Sequence, residues 1–415
     1  MQDRSPSSFS SASAPESPAT PSITGSARSI AWVVTAIQFT NALEYMAVSP
    51  LFPWMAGDLG VPVGWAGYAA GAYTIAAIVS GLLAYGLADR VQPKRLLLAA
   101  LSVLSLSTLA VSMTEHFGSL MLWRTVAGLT GGITMGSASA ILLVHASEKE
   151  RPALLALTVA AFSAVSIAGT PLVLWLAQAA DWRWSFRLIV TCCLLCLCTA
   201  AWKLPATRPP ARAASLGQML SGLRGGTLRH AGLNALSQFS ALLVIPMLAP
   251  ILMGLAGGSA QLPLWFLLGG VAGLLASRLA GKAVSRFGGP RVFRWGLAAL
   301  AANLLACASG VMGPLGAMAS GLFMVCFMAS TYTALVAAAA TSAAHPSPER
   351  RASFSMLQTS LMHLGSSLAF FATAWLMGLT AMQANGTRWL LVLAALLALG
   401  LALSSRALLR PTASA

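Results

Sequence analysis

Apolar stretches long enough to cross a lipid bilayer follow one another along this chain, with short polar connections between them. Soluble proteins carry roughly 25% charged residues, whereas this chain of 415 residues has 8% charged and 57% hydrophobic residues. The sequence lacks the short alternating segments that are typical of outer-membrane barrels. Because lipid offers the backbone no hydrogen-bond partners, each apolar stretch is predicted to be a helix. The pattern therefore predicts an all-α integral membrane protein.

The apolar stretches number twelve and fall into two groups of six. Residues 204–230, rich in Pro and Arg, form the longest internal polar stretch and are predicted to be a cytoplasmic linker. It separates an N-terminal six-helix bundle, 28–203, from a C-terminal one, 231–409. Residues 1–27, rich in Ser and Pro, are predicted to be a disordered cytoplasmic tail, and 410–415 a second tail. The predicted spans are 30–53, 64–88, 94–113, 117–145, 153–178, 184–203, 231–255, 263–283, 291–311, 314–341, 353–379 and 386–408.

The basic residues follow membrane topology. If both termini are cytoplasmic, 21 of the 25 Lys and Arg residues lie on the inner side, as the positive-inside rule requires. The net charge of +15 is thus explained by cytoplasmic loops, and no nucleic-acid partner is expected. The predicted location is a bacterial inner membrane, with both termini cytoplasmic.

Short sequences recur at equivalent places in the two halves. Two six-helix halves related by duplication are the architecture of many secondary transporters, so the two bundles are predicted to be pseudo-symmetric. The matched pairs are 85–92 with 281–288 at an offset of 196, 150–153 with 349–352 at an offset of 199, and 183–184 with 388–389 at an offset of 205.

Glu44 is the one acidic residue, of ten in the chain, that the sequence places at mid-membrane depth. An ionisable group there is costly and is a functional-site hypothesis by default. Arg124, inside the fourth span, is its natural electrostatic partner because arginine keeps its charge and must be paired or solvated. The family resemblance described next implies that the two residues couple transport to protons. The alternative for Glu44 is a structural carboxylate, and for Arg124 a clamp on backbone carbonyls.

Several motifs together resemble the major facilitator superfamily over nearly the whole chain. The loop after the second span matches the family signature at 87–90 and at Lys94, and the fourth span carries Arg124 followed by Gly128, Gly131 and Gly132. Residues 168–171, Ala-Gly-Thr-Pro, resemble a motif of proton-coupled exporters in that family. The resemblance implies a twelve-helix transporter that works by alternating access. The three glycines are explained by close helix packing.

The resemblance also implies a group of residues that controls conformation at the cytoplasmic side. In the family, the acidic and basic residues after the second span form a charge clasp against the eleventh span. The alternative is a solvated loop end. The residues assigned to this role are Asp89, Arg90, Lys94 and, in the repeat copy, Arg286.

Polar residues inside the spans are candidates for a substrate cavity. Gln38 and Asn41 precede Glu44 at spacings of three, so one side of the first span can line a cavity. Interhelical hydrogen bonding is the alternative for each candidate. In the C-terminal half the candidates are Asn234, Gln238, Tyr332, Gln358 and His363.

The sequence favours proton-coupled efflux of a small organic molecule, such as a drug or an endogenous metabolite like a siderophore. The alternatives are a proton-coupled nutrient importer and a non-transporting receptor or sensor; an enzyme is not expected. No cofactor is expected beyond the proton gradient, and the partners are a small-molecule substrate and the bilayer around a monomer. The six cysteines lie in apolar segments without acidic or His neighbours, so neither a metal site nor a disulfide is predicted.

Overall fold

The computed structural model describes residues 25–88, 91–145, 160–206, 226–343, 351–380 and 385–408. These residues form helices joined by short connections, and no β-strand occurs among them. Two of the helical spans contain irregular turns, which are described below. The helices are α1 Gly25–Leu59, α2 Ala66–Ala88, α3 Pro93–Val111, α4 Phe117–His145, α5 Ala160–Ala179, α6 Trp182–Lys203, α7 Gly226–Val244 continued as Leu248–Ala256, α8 Leu262–Phe287, α9 Gly289–Ala308, α10 Ala317–Ala343, α11 Arg351–Thr380 and α12 Gly386–Leu408.

These twelve helices correspond one to one to the predicted spans, which confirms the predicted fold class. Eleven of the described helices are long and apolar enough to cross a membrane by length and composition. The twelfth, α1, falls short because Gln38, Asn41 and Glu44 make it more polar. All three of those side chains are buried against other helices, so α1 is shielded from lipid at these positions.

Helix α1 continues past two prolines. Pro50 and Pro53 lie inside the helix, which ends at Leu59. Each proline removes one backbone hydrogen bond, but Phe52 and Met55 in the same turns are fully buried. Burial of these large side chains holds the helix together beyond the prolines.

The two irregular spans are α5 and α7. In α5 the turn Val165–Gly169 is π-helical and leads into the helix Thr170–Ala179. Pro171 has no backbone N–H, so the regular bond to the preceding turn is missing there. In α7 a 3-10 turn, Ile245–Met247, interrupts the helix at Pro246 for the same reason.

The helices form two bundles, α1–α6 and α7–α12, that meet through a few helix pairs. The pairs that join the bundles are α2 with α11, α5 with α8, and α1 with the end of α7. We call the end of the molecule that holds the connection at residues 60–62 the Asp58 end. The predicted topology places this end on the side of the membrane opposite to the cytoplasm.

Helices α2 and α11 pack closely because glycines face large side chains. A Cβ atom added to Gly64 would overlap Met377, and one added to Gly67 would overlap the Phe370 carbonyl oxygen. At Gly71 the same atom would contact the Phe371 ring. The two bundles are therefore in tight contact along the half of α2 nearest the Asp58 end.

Candidate functional site

Glu44 and Arg124 form an ion pair in the interior of the N-terminal bundle. Arg124 Nη1 lies 2.5 Å from Glu44 Oε1, and both side chains are completely inaccessible to solvent. This pair joins α1 to α4. It joins the two residues that the sequence singled out as the buried charges of the N-terminal half.

The remaining contacts of Arg124 replace water around its charge. Its guanidinium donates to the backbone carbonyls of Glu44 and Tyr45, at 3.4 Å each. It also lies over the ring of Tyr73, 4.6 Å from the ring centroid, a favourable cation–π geometry. Arg124 thus has partners besides the Glu44 carboxylate.

Two polar atoms of this pair are buried without a hydrogen-bond partner among the described residues. They are Glu44 Oε2 and Arg124 Nε. Buried polar groups are nearly always satisfied, and exceptions often mark functional sites. The free carboxylate oxygen is a position where a proton or a ligand donor could bind.

Around the pair, polar side chains of α1 bind the backbone of α4. Asn41 donates to the Gly131 carbonyl at 3.2 Å and accepts from the Tyr73 hydroxyl at 3.4 Å. Gln38 donates to Ser139 at 3.1 Å and to the Met135 carbonyl at 3.4 Å. The Gln38 carbonyl oxygen has no partner within the described part of the chain. Interhelical bonding therefore accounts for the amide nitrogen atoms of both residues.

The residues that sequence reasoning missed are two tyrosines. Tyr45 follows Glu44 directly, and its ring lies 5.1 Å from that of Tyr73 between centroids. Tyr73 is 4% exposed. The available signal was the position of Tyr45 beside the buried acid, but aromatic residues are common in membrane helices and this position alone did not identify it.

The candidates in the C-terminal half do not form a comparable cluster. Asn234 is buried, and its carbonyl oxygen has no partner among the described residues. Tyr332 packs on Gly273 of α8, where a Cβ would touch its ring. Gln238, Gln358 and His363 are half-buried. The structure does not place any of these side chains against the Glu44–Arg124 pair.

The residues assigned to conformational control have different surroundings. Asp89 and Arg90 lie outside the described residues. Lys94 donates to the carbonyls of Ala201 and Leu204, at 2.8 and 2.6 Å, and so caps the end of α6. Arg286 is exposed and stacks on Phe287. Among the residues whose side chains the structure describes, the hydrogen bonds of Lys94 stay within the N-terminal bundle.

A second charged group lies at the Asp58 end. Asp58 accepts from the Trp182 indole at 2.9 Å and from Arg183 at 2.6 Å. These hydrogen bonds, that from Trp182 first, lower the pKa of the Asp58 carboxyl below its ordinary value. The group ties the end of α1 to the start of α6 and is partly exposed, so it is a structural link.

The cysteines are free thiols. Among the described residues no group of three or more His, Cys, Asp or Glu side chains could hold a metal ion. Cys193 and Cys196 are buried in the helix packing of the N-terminal bundle.

Comparison with known proteins gives a family match across most of the chain. A family model described as Major Facilitator Superfamily matches residues 34–369. An uncharacterised MFS-type transporter of Bacillus subtilis (strain 168), YtbD, is 22% identical over 245 residues, which are 59% of this chain and 62% of the relative. A chloramphenicol resistance protein of Streptomyces lividans is 30% identical over 251 residues, 59% of this chain and 63% of the relative.

A fungal relative is similar over a shorter region. The MFS thioclapurine efflux transporter tcpA of Claviceps purpurea (strain 20.1) is 32% identical over 156 residues, 36% of this chain and 27% of the relative. Each of these matches spans less than two thirds of the relative's length.

Solved transporter structures share the fold of this chain. The nucleoside transporter NupG superposes with a TM-score of 0.75 at 13% identity, over 94% of this chain and all of its own. A D-xylose-proton symporter superposes with a TM-score of 0.74 at 15% identity, over 91% of this chain and 97% of its own.

Proposed function

This chain belongs to the Major Facilitator Superfamily and is a multi-pass membrane transporter, and from that premise we propose that it exports a small organic molecule in exchange for protons. The observation that carries the proposal is the fully buried Glu44–Arg124 pair. A carboxylate sealed from water is costly to keep charged and is suited to take up a proton when its surroundings change.

The contacts of Arg124 make proton binding by Glu44 feasible. If Glu44 takes up a proton, Arg124 keeps its charge because arginine does not deprotonate in proteins. Its bonds to two backbone carbonyls and its position over the Tyr73 ring remain available. The free oxygen, Glu44 Oε2, is where the proton would reside.

Two observations, the names of two relatives and a motif in α5, bear on the direction of transport. The relative from Streptomyces lividans is named a chloramphenicol resistance protein and that from Claviceps purpurea an efflux transporter. In α5, residues 168–171, which resemble an exporter motif, lie where the π-helical turn Val165–Gly169 passes into the helix Thr170–Ala179, and this turn and helix meet α8. Both observations favour export over import.

A second candidate function is proton-coupled import. It is favoured by the fold shared with a D-xylose-proton symporter and a nucleoside transporter. At this level of sequence identity, structural similarity shows a shared fold but not a shared direction of transport, so import remains the alternative.

The substrate class follows from the charge of the site. One acid and one base give the N-terminal site a net charge near zero, which fits neutral, zwitterionic or weakly charged molecules. Drugs and endogenous metabolites such as siderophores are candidates. We propose that the protein works as a monomer in a bacterial inner membrane with both termini cytoplasmic, uses the proton gradient and needs no other cofactor.

The proposal is tested in inside-out vesicles that hold a proton gradient reported by a fluorescent pH probe. Addition of a substrate of an antiporter releases protons from the lumen and restores fluorescence. Chloramphenicol is the first candidate substrate, followed by a panel of neutral, zwitterionic and weakly charged compounds. We expect Glu44→Gln to abolish the response while the protein stays folded, because glutamine keeps the shape but takes up no proton.

The matched control is Asp58→Asn, which removes an acid from the end of the same helix outside the buried site. It should retain the response at close to the parent level. A full response in Glu44→Gln would refute proton coupling through this residue. If the candidate substrate acidifies the lumen of right-side-out vesicles and is itself taken up, the protein is an importer instead.

A further inference from the structure

Two tyrosine residues contact Arg124 of the buried ion pair. The Tyr45 carbonyl accepts a hydrogen bond from Arg124, and the Tyr45 ring lies tilted against that of Tyr73, 5.1 Å away between centroids. The Tyr73 ring lies directly under the Arg124 guanidinium. Movement of Arg124 away from Glu44 would therefore change the contacts that Arg124 makes with both tyrosine residues.

Tyr45, and Thr74 next to Tyr73, contact adjacent serines on α11. Thr74, next to Tyr73, accepts a hydrogen bond of 2.8 Å from Ser367, and both groups are buried. The Tyr45 side chain interacts with Ser366. These polar contacts cross from one bundle to the other within the tight interface between α2 and α11.

We propose that Tyr45 and Tyr73 transmit the state of the Glu44–Arg124 pair to the contact between α2 and α11, so that the intact ion pair stabilises the closed Asp58 end. The inference rests on the proposed function, because it requires Glu44 to take up a proton during transport. Tyr45 and Tyr73 are then positioning residues that act through Arg124.

The surroundings of Glu44 limit the groups that could produce a pH effect. The charged or titratable side chains that face it are Arg124 from α4, Tyr73 from α2 and Cys193 from α6, and Tyr45 follows it on α1. Neither tyrosine nor cysteine ordinarily ionises between pH 5 and 7. Among the groups that face the ion pair, Glu44 is therefore the one that can titrate in this range, and the His363→Gln variant serves as the control for the histidine of α11.

The experiment follows closure and protonation separately. Closure is measured by crosslinking Gln178→Cys to Ser259→Cys in a variant without native cysteines. At each pH, crosslinking is expressed relative to the rate at which a monofunctional reagent modifies the same two thiols, because thiolate formation alone makes thiol reactions depend on pH. These positions join the bundles at the Asp58 end, where Gln178 donates to the Ser259 carbonyl at 2.6 Å. Protonation is measured by the infrared band of a protonated carboxyl, identified as that of Glu44 by its loss in Glu44→Gln.

In the parent protein we expect crosslinking to fall as pH falls, by up to about tenfold per pH unit because one proton is linked to the change. In Tyr45→Phe combined with Thr74→Val, the Glu44 band should still titrate while crosslinking becomes independent of pH. Ser366→Ala, which removes the Tyr45 contact from the other bundle, should weaken the pH response in the same direction.

The control is Tyr68→Phe. Tyr68 lies in the same interface, 6.0 Å from the Phe371 ring between centroids, but is not among the groups that contact the ion pair. Its loss should leave the response unchanged. If crosslinking in Tyr45→Phe/Thr74→Val follows pH as in the parent while the Glu44 band titrates, the proposed link is wrong. If the parent shows no titrating Glu44 band, both the proposed function and this inference fail.

Discussion

Arg124 keeps its charge inside the N-terminal bundle because several groups of different kinds replace water around it. A carboxylate, two backbone carbonyls and an aromatic ring each satisfy part of the guanidinium. Lysine has no planar fork and could not make all of these contacts at once. The site is thus built for arginine, and its balance depends on whether Glu44 carries a charge.

A double-variant cycle measures how strongly the two residues depend on each other. Arg124→Leu leaves Glu44 buried without a cation, and removing one member of a buried pair typically costs about 3–5 kcal/mol. Glu44→Gln combined with Arg124→Leu removes both charges and should recover most of that loss. The measurement is thermal unfolding of the purified protein in detergent, compared across the parent, the two single variants and the double variant.

Additive losses in this cycle would mean that the two residues do not interact energetically. Asp58→Asn combined with Arg124→Leu serves as the comparison, because Asp58 makes its own contacts with Trp182 and Arg183 at the end of the bundle. These two changes should add, because the sites share no partner.

At this scale the charged residues could be predicted from sequence and the tyrosines could not. A carboxylate and a guanidinium stand out in apolar spans because membranes exclude them. Tyr45 and Tyr73 are ordinary residues for such spans, and their role depends on which helix faces they share. That relation is set by the packing of α1, α2 and α4, which a single sequence does not specify.

Helix α4 can carry Arg124 close to α1 and α2 because glycines bring the helices together. A Cβ at Gly128 would overlap the Tyr73 carbonyl oxygen, and one at Gly131 would overlap the Tyr73 hydroxyl. The sequence predicted close approach at these glycines, and the structure confirms it. The neighbour that each glycine meets could not be predicted, because glycine spacing identifies a helix face but not its partner.

Gly128→Ala is expected to destabilise the protein by about 1–3 kcal/mol, the usual effect of overpacking a closed interface. It should also displace Tyr73 from beneath Arg124 and thereby reduce transport. The measurements are the unfolding temperature and the vesicle assay described above, made on the same preparation.

The matched control for this change is Gly136→Ala on the same helix. A Cβ at Gly136 meets no atom within 4 Å. There the gain in helix propensity, about 1 kcal/mol, is unopposed, so the variant should be as stable as the parent or slightly more so. Equal destabilisation by the two changes would show that the contact of Gly128 with α2 does not decide the effect.

The whole molecule is held in one arrangement by contacts that lie near the Asp58 end. Gly64, in the turn before α2, and Gly67 and Gly71 of α2 meet α11. The π-helical turn of α5 meets α8, where a Cβ at Gly270 would overlap the Ser166 carbonyl. The sequence predicted two pseudo-symmetric bundles, and the shared fold with solved transporters confirms this. Which end is closed could not be predicted, since one sequence must support each state of an alternating-access cycle.

Gly67→Ala is expected to shift the molecule away from the arrangement closed at the Asp58 end. An added methyl group would overlap the Phe370 carbonyl and press on Ala374, so it penalises the closed interface and leaves the separated bundles unaffected. A ligand or variant shifts a conformational equilibrium only by its differential effect on the two states. A penalty of about 1.4 kcal/mol would lower the closed-to-open ratio tenfold.

Crosslinking of Gln178→Cys to Ser259→Cys measures this shift and should fall accordingly. The control is Gly81→Ala, at a position of α2 where a Cβ meets nothing within 4 Å, and it should leave crosslinking unchanged. Undiminished crosslinking in Gly67→Ala, with the protein folded, would mean that the contact between α2 and α11 does not control closure of this end.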